Sequence, residues 1–300
     1  MAASAVPAMI DAAWDEYRGW AARARELQGK LRRWNLAALA SAVAAAVFGG
    51  LAVQLGRSDW GKAAAGAAAV AAALTPIIGR EMLSSAVERR WQRARALAEG
   101  IKSECFRFAA RLTPYDAEDA AARFLAWRTA LAGAAAHDQV TPLADPAPPN
   151  GDKRRPPADL EAGWYLERRL RDQRAFYDKG RRTNEQAAVR LRGLSAGSSL
   201  LAAIFAGIAA AGYAVTAWVG VFVTIAAAIV AVGLLQKRHY LAAEYGLMTI
   251  ALERIEEAWT AGLLQFGALV DQTESLLGTE HAAWVQAMAR FQAGPPAAPH

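Results

Sequence analysis

Four side chains in the second half of the chain have types and a spacing that suit ligand recognition or conformational switching. An acid, an amide, a phenol and an amine lie within two helical turns, at Asp172, Gln173, Tyr177 and Lys179. Residues three or four apart lie on one side of a helix, so the first three share roughly one side. Two interpretations follow. These side chains clamp their helix to a neighbouring helix through charged partners, or they sense a ligand and gate the protein.

The remaining polar residues predict no catalytic, metal or cofactor site. The histidines include no close pair suited to a metal, and they are His137, His239, His281 and His300. The sequence contains no phosphate-binding glycine loop, dinucleotide fingerprint or nucleophile elbow. Carboxylates such as Glu253 and Glu257 are expected on solvated helix faces, and Cys105 at an apolar position is expected to be a buried structural thiol. We therefore predict a protein that is not an enzyme.

Hydroxyl side chains within apolar segments are the candidates for lining a pore. They are Ser195, Ser198, Ser199 and Thr224. The structural alternative is that each hydroxyl bonds to a carbonyl of its own helix or to a neighbouring helix. No ionisable residue lies inside these segments, which argues against a proton-coupled transporter. Four apolar helices are just enough to pack on one another, so a pore requires an oligomer.

Long stretches without charge predict transmembrane helices. No Asp, Glu, Lys or Arg occurs at 35–56, 63–79 or 193–236. A spanning helix needs about 20 apolar residues, so the last stretch holds two, with a turn between Gly212 and Gly220. An alanine-rich soluble bundle is the alternative, but a soluble helix would interrupt such a run with charge. We predict an all-α integral membrane protein with two transmembrane helical hairpins.

The basic residues flank these apolar segments, which predicts the orientation of the chain in the membrane. The net charge is +6, and a basic chain alone would suit nucleic acid. Lys and Arg cluster before the first and third spans and after the second and fourth, while the hairpin loops carry little charge. By the positive-inside rule, both termini and the middle of the chain lie in the cytoplasm. We therefore predict a multi-pass protein whose partner is the lipid bilayer and not nucleic acid.

The chain divides into two halves of similar plan. A Pro-rich, charged stretch at 137–158 indicates a linker. Residues 1–136 and 159–292 each contain an amphipathic segment, a hairpin of two spans and a further amphipathic segment. Residues 293–300 are expected to form a disordered tail. An even number of spans separates equivalent positions, which predicts parallel repeats.

Apolar residues outside the spans recur at steps of three and four, which predicts long cytoplasmic helices packed in antiparallel bundles. The series after the second span comprises Val87, Trp91, Ala94, Ala98, Ile101, Cys105, Phe108 and Leu112. The series after the fourth span comprises Leu241, Tyr245, Met248, Leu252, Ile255, Trp259, Gly262, Phe266, Leu269, Thr273 and Leu276. We expect each of these helices to continue directly from its span, and the later one to end at Gly278.

A second apolar stripe on the last long helix predicts a further contact. Its members are Leu247, Ile250, Leu263, Leu264 and Val270. The helix that precedes the third span can cover only one side of the last helix. The stripe is therefore covered either by the first half of the chain, which we favour, or by another subunit of a homo-oligomer.

The residues around the second hairpin also carry a family resemblance. The segment from Tyr165 to Gly180 reads YLERRLRDQRAFYDKG, a hairpin with a short turn follows it, and a long helix ends in ESLLGTEHAAW at Trp284. This combination resembles the SLATT family, the SMODS and SLOG-associating two-transmembrane effector domains. The signature of that family falls here on Asp172, Gln173, Phe176, Tyr177 and Lys179. The first half, with WDEYRGWAARAR before its hairpin and AEGIKSECFRFAAR after it, resembles a second variety, so two tandem copies are expected.

The resemblance implies a bacterial effector of the inner membrane that forms pores when a nucleotide-based sensor detects invasion. The sequence contains no SLOG, TIR or nucleotidyltransferase region. Activation is then expected to depend on a separately encoded nucleotide-sensing or nucleotide-synthesising partner, or on a ligand bound by the helical bundle. The alternative is a non-conducting membrane scaffold whose cytoplasmic helices recruit a partner protein.

Overall fold

Helices account for nearly all regular structure in the described part of the chain. The computed structural model describes residues 5–78, 85–137, 141–144 and 152–292, and these contain no strand. The helices of the first half are α1 (Ala5–Leu55), α2 (Asp59–Ile77), α3 (Ser85–Ala109) and α4 (Ala120–His137). Those of the second half are α5 (Ala162–Tyr165), α6 (Asp172–Ala210), α7 (Thr216–Gln236), α8 (Arg238–Thr260) and α9 (Phe266–Gln292). A π-helical segment, Leu166–Arg171, joins α5 to α6 without interruption. The all-helical prediction is confirmed for these residues.

The described residues form two compact units that interleave along the sequence. Unit 1 is drawn from Met1–Gly29, Ser85–Tyr177 and Leu247–His300, and unit 2 from Lys30–Ser84 and Asp178–Gly246. Each unit therefore contains residues of both halves of the chain. The predicted division at 137–158 separates the halves by sequence and stays a prediction.

Unit 1 has one aromatic core to which both halves contribute. Trp14 of α1 lies edge-on to Phe106 of α3, with ring centroids 6.2 Å apart. Phe106 in turn lies edge-on to Tyr165 of α5 at 5.7 Å. Leu269 and Val270 of α9 are fully buried in the same core. We favoured cover of the whole second stripe by the first half. Val270 lies in this shared core, but Leu247, Ile250 and Leu263 are exposed, so at these three positions the prediction is wrong.

Two parts of the predicted linker are docked on α1. The backbone N–H of Leu143 donates to the carbonyl of Gly19 at 3.1 Å, and Arg23 Nε donates to the carbonyl of Thr141 at 2.9 Å. Further along, the Trp14 indole donates to Asp152 Oδ2 at 2.8 Å. We call residues 141–144 and 152–160 the strap. Residues 141–144 of the strap lie close to α1 because Gly19 has no side chain.

An alanine at Gly19 should detach the strap. A Cβ at this position would lie 2.6 Å from the carbonyl oxygen of Leu143, which is closer than real Cβ contacts allow. We expect trypsin to cleave the Gly19→Ala variant several-fold faster after Arg154, because local opening sets the rate of such cleavage. Gly29→Ala is the matched control, since a Cβ at Gly29 on the same helix would have no atom within 4 Å. Equal cleavage of both variants would show that the strap does not depend on this contact.

The continuous helix predicted from the fourth span through Leu276 is interrupted at two places. Lys237 separates α7 from α8 with a left-handed φ of 46°, so α7 does not continue directly into α8. Gly262 then ends α8 with a φ of 71°, and the N–H of Leu263 donates to the carbonyl of Ala258 at 2.9 Å. This pattern is a Schellman motif, which glycine favours because it has no Cβ. The single helix from Leu241 to Leu276 was therefore a wrong prediction.

The predicted helix end at Gly278 is also wrong. Helix α9 runs through this position to Gln292, and the Thr279 hydroxyl donates to the Ser275 carbonyl one turn earlier at 2.8 Å. The period-3.6 pattern survives on both sides of the Gly262 turn, since Met248, Leu252 and Leu269 are buried. The predicted tail at 293–300 lies outside the described residues.

Unit 2 contains the two apolar hairpins. Within the first, Ser41 Oγ of α1 donates to the Ala71 carbonyl of α2 at 2.5 Å, and Thr75 Oγ1 donates to Ser41 Oγ at 3.2 Å. The two hairpins touch where Gly50 lies against Val221, since a Cβ on Gly50 would approach Val221 Cγ2 to 2.8 Å. Small residues at such points allow apolar helices to pack closely.

Two stretches of the described chain are long and apolar enough to cross a membrane by length and composition. They are Val6–Leu55 and Ala162–Ala210, and Thr216–Val232 is a shorter apolar helix. In each long stretch, only 6% of the most apolar 18-residue segment is buried. Exposed apolar surface of this extent suits a lipid environment better than water.

Candidate functional site

The four signature side chains lie along the first two turns of α6 and differ in their surroundings. Tyr177 is buried and its ring lies edge-on to Phe176 at 5.4 Å. Asp172 is exposed and lies 3.6 Å from the guanidinium of Arg154 in the strap. Gln173 is half-buried and Lys179 is exposed. The structure thus gives Asp172 a charged partner, and that partner belongs to the strap and not to the long helix.

Arginines beside the signature make the helix-to-helix clamp. Arg171 Nε donates to Glu256 Oε1 of α8 at 2.6 Å, and Arg174 Nη1 donates to Glu256 Oε2 at 2.6 Å. Arg171 also donates to Glu167, one turn earlier in the π-helical segment. One carboxylate therefore joins two arginines that flank Asp172 and Gln173. These arginines clamp the start of α6 to α8, and the function of the signature itself stays a prediction.

The signature is followed by a close approach of α6 to α8. A Cβ at Gly180 would lie 2.5 Å from Tyr245 Cδ2, so the ring packs directly on the helix backbone. The amide of Asn184, which is buried, donates to the Gly180 carbonyl at 2.8 Å. Its oxygen accepts a bond from Arg238 Nη1 at 2.8 Å. All four residues belong to unit 2.

Unit 1 contains a fully buried ion pair, one member of which lies just before the signature in the sequence. Arg169 of the π-helical segment donates from Nε and Nη2 to the two carboxylate oxygens of Glu274 on α9, at 2.8 Å and 2.7 Å. The Tyr165 hydroxyl donates to Glu274 Oε1 at 2.8 Å. The guanidinium lies 4.7 Å from the ring centroid of Phe106. This cluster joins α9, the π-helical segment and α3.

Burial and ion pairing shift the pKa of Arg169 in opposite directions. Burial alone would lower the pKa of Arg169, but the charge and hydrogen bonds of Glu274 raise it above its ordinary value. Burial also raises the pKa of Tyr165, and the adjacent Glu274 adds to this effect. The guanidinium of Arg169 therefore stays charged and the phenol of Tyr165 neutral. Their geometry suits a structural junction, because both carboxylate oxygens already accept bonds from the protein.

Chemical reactivity is low at the single thiol. Burial raises the pKa of Cys105 well above its ordinary value, so the thiol is protonated, and the side chain is completely buried. A protonated, inaccessible thiol is a poor nucleophile. Among the residues that the structure describes, no group of three His, Cys, Asp or Glu side chains is placed to hold a metal ion.

The candidate pore-lining hydroxyls lie on α6 and α7 in unit 2. Thr224 Oγ1 donates to the Gly220 carbonyl of its own helix at 2.8 Å, as the structural alternative requires. Ser195 and Ser198 are half-buried, and Ser199 is exposed. A pore would need several copies, and the structure contains one, so the pore-lining function of these residues stays a prediction.

The second half of the chain matches a family model over the segment just described. Residues 165–284 match SMODS and SLOG-associating 2TM effector domain 1, SLATT_1. This half is similar to the SLATT family. The match begins at Tyr165, ends at Trp284 and includes the signature, the hairpin, Arg169 and Glu274. The predicted resemblance is thereby supported for the second half.

The first half matches a different model. Residues 16–123 match a protein of unknown function (DUF4231), which is a domain related to SLATT. The prediction of two tandem SLATT copies is therefore supported only in part. Neither the curated proteins nor the solved structures gave a match.

Sequence reasoning missed the buried cluster of the SLATT-like half. Tyr165 and Arg169 lie four residues apart, on the same side of the helix as the apolar Leu166 and Leu170. A charged residue in such a pattern usually lies next to the apolar stripe and not within it. The signal that could have found the cluster is the placement of Glu274 between Val270 and Leu277 on an otherwise apolar face. An acid and an arginine that each lie within apolar stripes predict a buried pair.

A buried lysine of the DUF4231-like half predicts a stability effect that depends on pH. Lys102 is 7% exposed. Its ammonium lies 3.8 Å from a carboxylate oxygen of Glu99 and 5.7 Å from the ring centroid of Tyr17. Burial lowers the pKa of Lys102 from its ordinary value, and burial together with Glu99 raises the pKa of Tyr17 to about 12. Lys102 is therefore costly to keep charged in this core.

We expect Lys102→Met to stabilise unit 1 by on the order of 1 kcal/mol near neutral pH, because methionine fills the space without a buried charge. A lysine whose pKa is lower in the folded than in the unfolded protein destabilises the fold, and this cost grows as the pH falls from the unfolded-state pKa to the folded-state pKa. The gain from methionine should therefore shrink as the pH is raised toward about 10. Chemical unfolding of both proteins at the two pH values measures this difference. Lys179→Met, at an exposed site, is the control, and a Lys102 gain that does not change with pH would refute the explanation.

Proposed function

We propose that this protein is a bacterial membrane effector that oligomerises and permeabilises the inner membrane in a nucleotide-signalled conflict or immunity system. The observation that carries the proposal is the match of residues 165–284 to a two-transmembrane effector domain. Residues 165–284 include the signature segment, the second apolar hairpin, α8 and most of α9, so the likeness extends well beyond the hairpin.

The physical basis of permeabilisation is an assembly of spans. The proposal places four helices in the membrane, with both termini in the cytoplasm, and takes Ser195, Ser198, Ser199 and Thr224 as candidate pore-lining residues. A single copy with four spans cannot enclose a channel, so several copies must associate. Leu247 and Ile250 of α8 are 62% and 48% exposed, and we propose that another copy covers them.

The proposal assigns activation to a separately encoded partner. This partner senses or synthesises a nucleotide signal, and the effector itself carries no catalytic function. Asp172, Gln173, Tyr177 and Lys179 are the candidates for receiving that signal. Asp172 and Gln173 lie between Arg171 and Arg174, which both bond to Glu256. Tyr177 and Lys179 lie between Arg174 and Gly180, which contacts Tyr245.

Expression in bacterial cells tests the proposal. High expression should drive assembly by mass action, so the wild-type chain is expected to depolarise the inner membrane, as reported by a potential-sensitive dye. Leu247→Glu with Ile250→Glu should insert normally, remain smaller in detergent and fail to depolarise. Leu125→Glu is the matched control, because Leu125 is a comparably exposed leucine, at 56%, on a different helix.

The second candidate function is a non-conducting scaffold. The exposed apolar residues of α8 favour it equally, because a partner protein could cover Leu247 and Ile250 in place of another copy. Depolarisation distinguishes the two functions. A scaffold leaves the membrane potential unchanged at every expression level, even when the protein is fully inserted.

A further inference from the structure

The junction between α7 and α8 is broken at a residue that should not break a helix. Helix α7 ends at Gln236 and α8 begins at Arg238. No glycine or proline occurs from Leu234 to Tyr245. Local sequence therefore favours one continuous helix through this point, as the hydrophobic pattern predicts.

Lys237 adopts a conformation that is unfavourable for its type. Its φ of 46° is left-handed, and a side chain with a Cβ is disfavoured there. Its carbonyl still accepts the first bond of α8, from the N–H of Leu241 at 2.9 Å. The α8 helix thus begins regularly, and the unfavourable conformation is confined to one residue.

Contacts with α6 on the α8 side of the break hold it in place. The guanidinium of Arg238 donates to the buried Asn184 at 2.8 Å, and Asn184 is itself fixed by its bond to the Gly180 carbonyl at 2.8 Å. Two turns along α8, the Tyr245 ring packs on Gly180. The rings of Phe205 on α6 and Phe222 on α7 stack with centroids 5.2 Å apart, so α7 is packed on α6. A straight α7–α8 helix would therefore carry Arg238 and Tyr245 away from their partners on α6.

We propose that the α7–α8 junction is a two-state joint, bent at Lys237 in the resting protein and straight in the active one, with the Asn184–Arg238 bond as its latch. The inference rests on the proposed function and supplies its conformational step. Release of the latch lets Lys237 return to a right-handed helical φ. The apolar helix α7, which carries Thr224, then changes its direction relative to α8. A packed joint with two discrete arrangements is the kind of element that a small local change can switch.

The latch and the bend can be altered independently at two positions. Asn184→Ala removes one acceptor of Arg238, the one on α6, and should increase the straight population several-fold. Lys237→Gly relieves the left-handed strain and weakens a continuous helix, so it should decrease the straight population by about tenfold. The double variant should return to a mostly bent population, because the second change offsets the first.

Spin-label distances report the two states without any measurement of activity. Labels at Ala227 and Ala243, both exposed, flank the joint in a background in which Cys105 is replaced by alanine. A straight helix separates these positions by about 24 Å, and a bend shortens the distance. The wild type in lipid nanodiscs should show mainly the shorter distance, Asn184→Ala should gain the population near about 24 Å, and the double variant should lose it.

Dye flux from liposomes with the same variants separates this inference from the proposed function. Flux should rise in Asn184→Ala and fall in Lys237→Gly. If the distances change as expected while no variant conducts, the joint stands and the permeabilising function fails. If the wild type, both single variants and the double variant show the same distance distribution, the two-state joint is wrong, whatever their flux.

Discussion

Arg169→Ala is expected to lower the free energy of unfolding of unit 1 by about 3–5 kcal/mol, because it leaves a buried carboxylate without its counter-ion. Glu274 has no exposed surface on its side chain, and both of its oxygens accept bonds from Arg169. The Tyr165 hydroxyl would remain as a neutral donor to Oε1. Denaturation in detergent, followed by the fluorescence of core tryptophans such as Trp14, measures the loss.

A paired replacement separates the charge from the space it fills. Arg169→Met with Glu274→Leu removes both ions and keeps most of the volume, and such replacements are often neutral or stabilising. We therefore expect the double variant to be at least as stable as the wild type, within about 1 kcal/mol. A double variant as unstable as Arg169→Ala would show that the packing of α9 depends on the ion pair itself.

Gly180→Ala is expected to destabilise unit 2 by about 1–3 kcal/mol, the usual cost of overpacking. The added methyl group would lie 2.5 Å from Tyr245 Cδ2 and 2.6 Å from Cε2. The ring is part of a packed interface, so the helices or the ring must shift. The unfolding transition of the variant in lipid nanodiscs provides the measurement.

Two further variants test the cause of that loss. Gly193→Ala lies on the same helix with no atom within 4 Å of the new Cβ, and should be neutral or slightly stabilising because alanine favours helix. Tyr245→Ala should remove the penalty of Gly180→Ala when the two are combined, since the clash partner is gone. Persistence of the full penalty in the double variant would refute the packing explanation.

Periodicity predicted the helical framework because buried helix faces require apolar residues at steps of three and four. Ala94, Ile101, Phe108, Met248 and Leu252 are all buried as expected. The breaks at Lys237 and Gly262 were not predicted, for different reasons. Gly262 occupied an acceptable position in the series, so its ability to adopt a left-handed φ was overlooked. Lys237 carries no local signal, and the contacts that accompany its conformation, those of Arg238 and Tyr245, are with a helix distant in sequence.

The signature residues were predicted to lie on a helix, but their contacts were not predicted. The signature was placed on the correct helix, yet the partner of Asp172 is Arg154, a residue of a segment that composition assigns to a linker. Composition reports the absence of regular structure, and it does not report docking. The buried pair of Arg169 and Glu274 was missed because charged residues are expected at the surface unless a partner is known.

Flux of an entrapped dye from liposomes that contain the purified wild-type protein tests the central claim most directly. Assembly of several copies predicts that flux rises more steeply than in proportion to the protein-to-lipid ratio, and that Leu247→Glu with Ile250→Glu abolishes it without preventing insertion. Absence of flux at every ratio, for inserted and folded wild type and for Asn184→Ala alike, would contradict permeabilisation and leave the scaffold as the function of this protein.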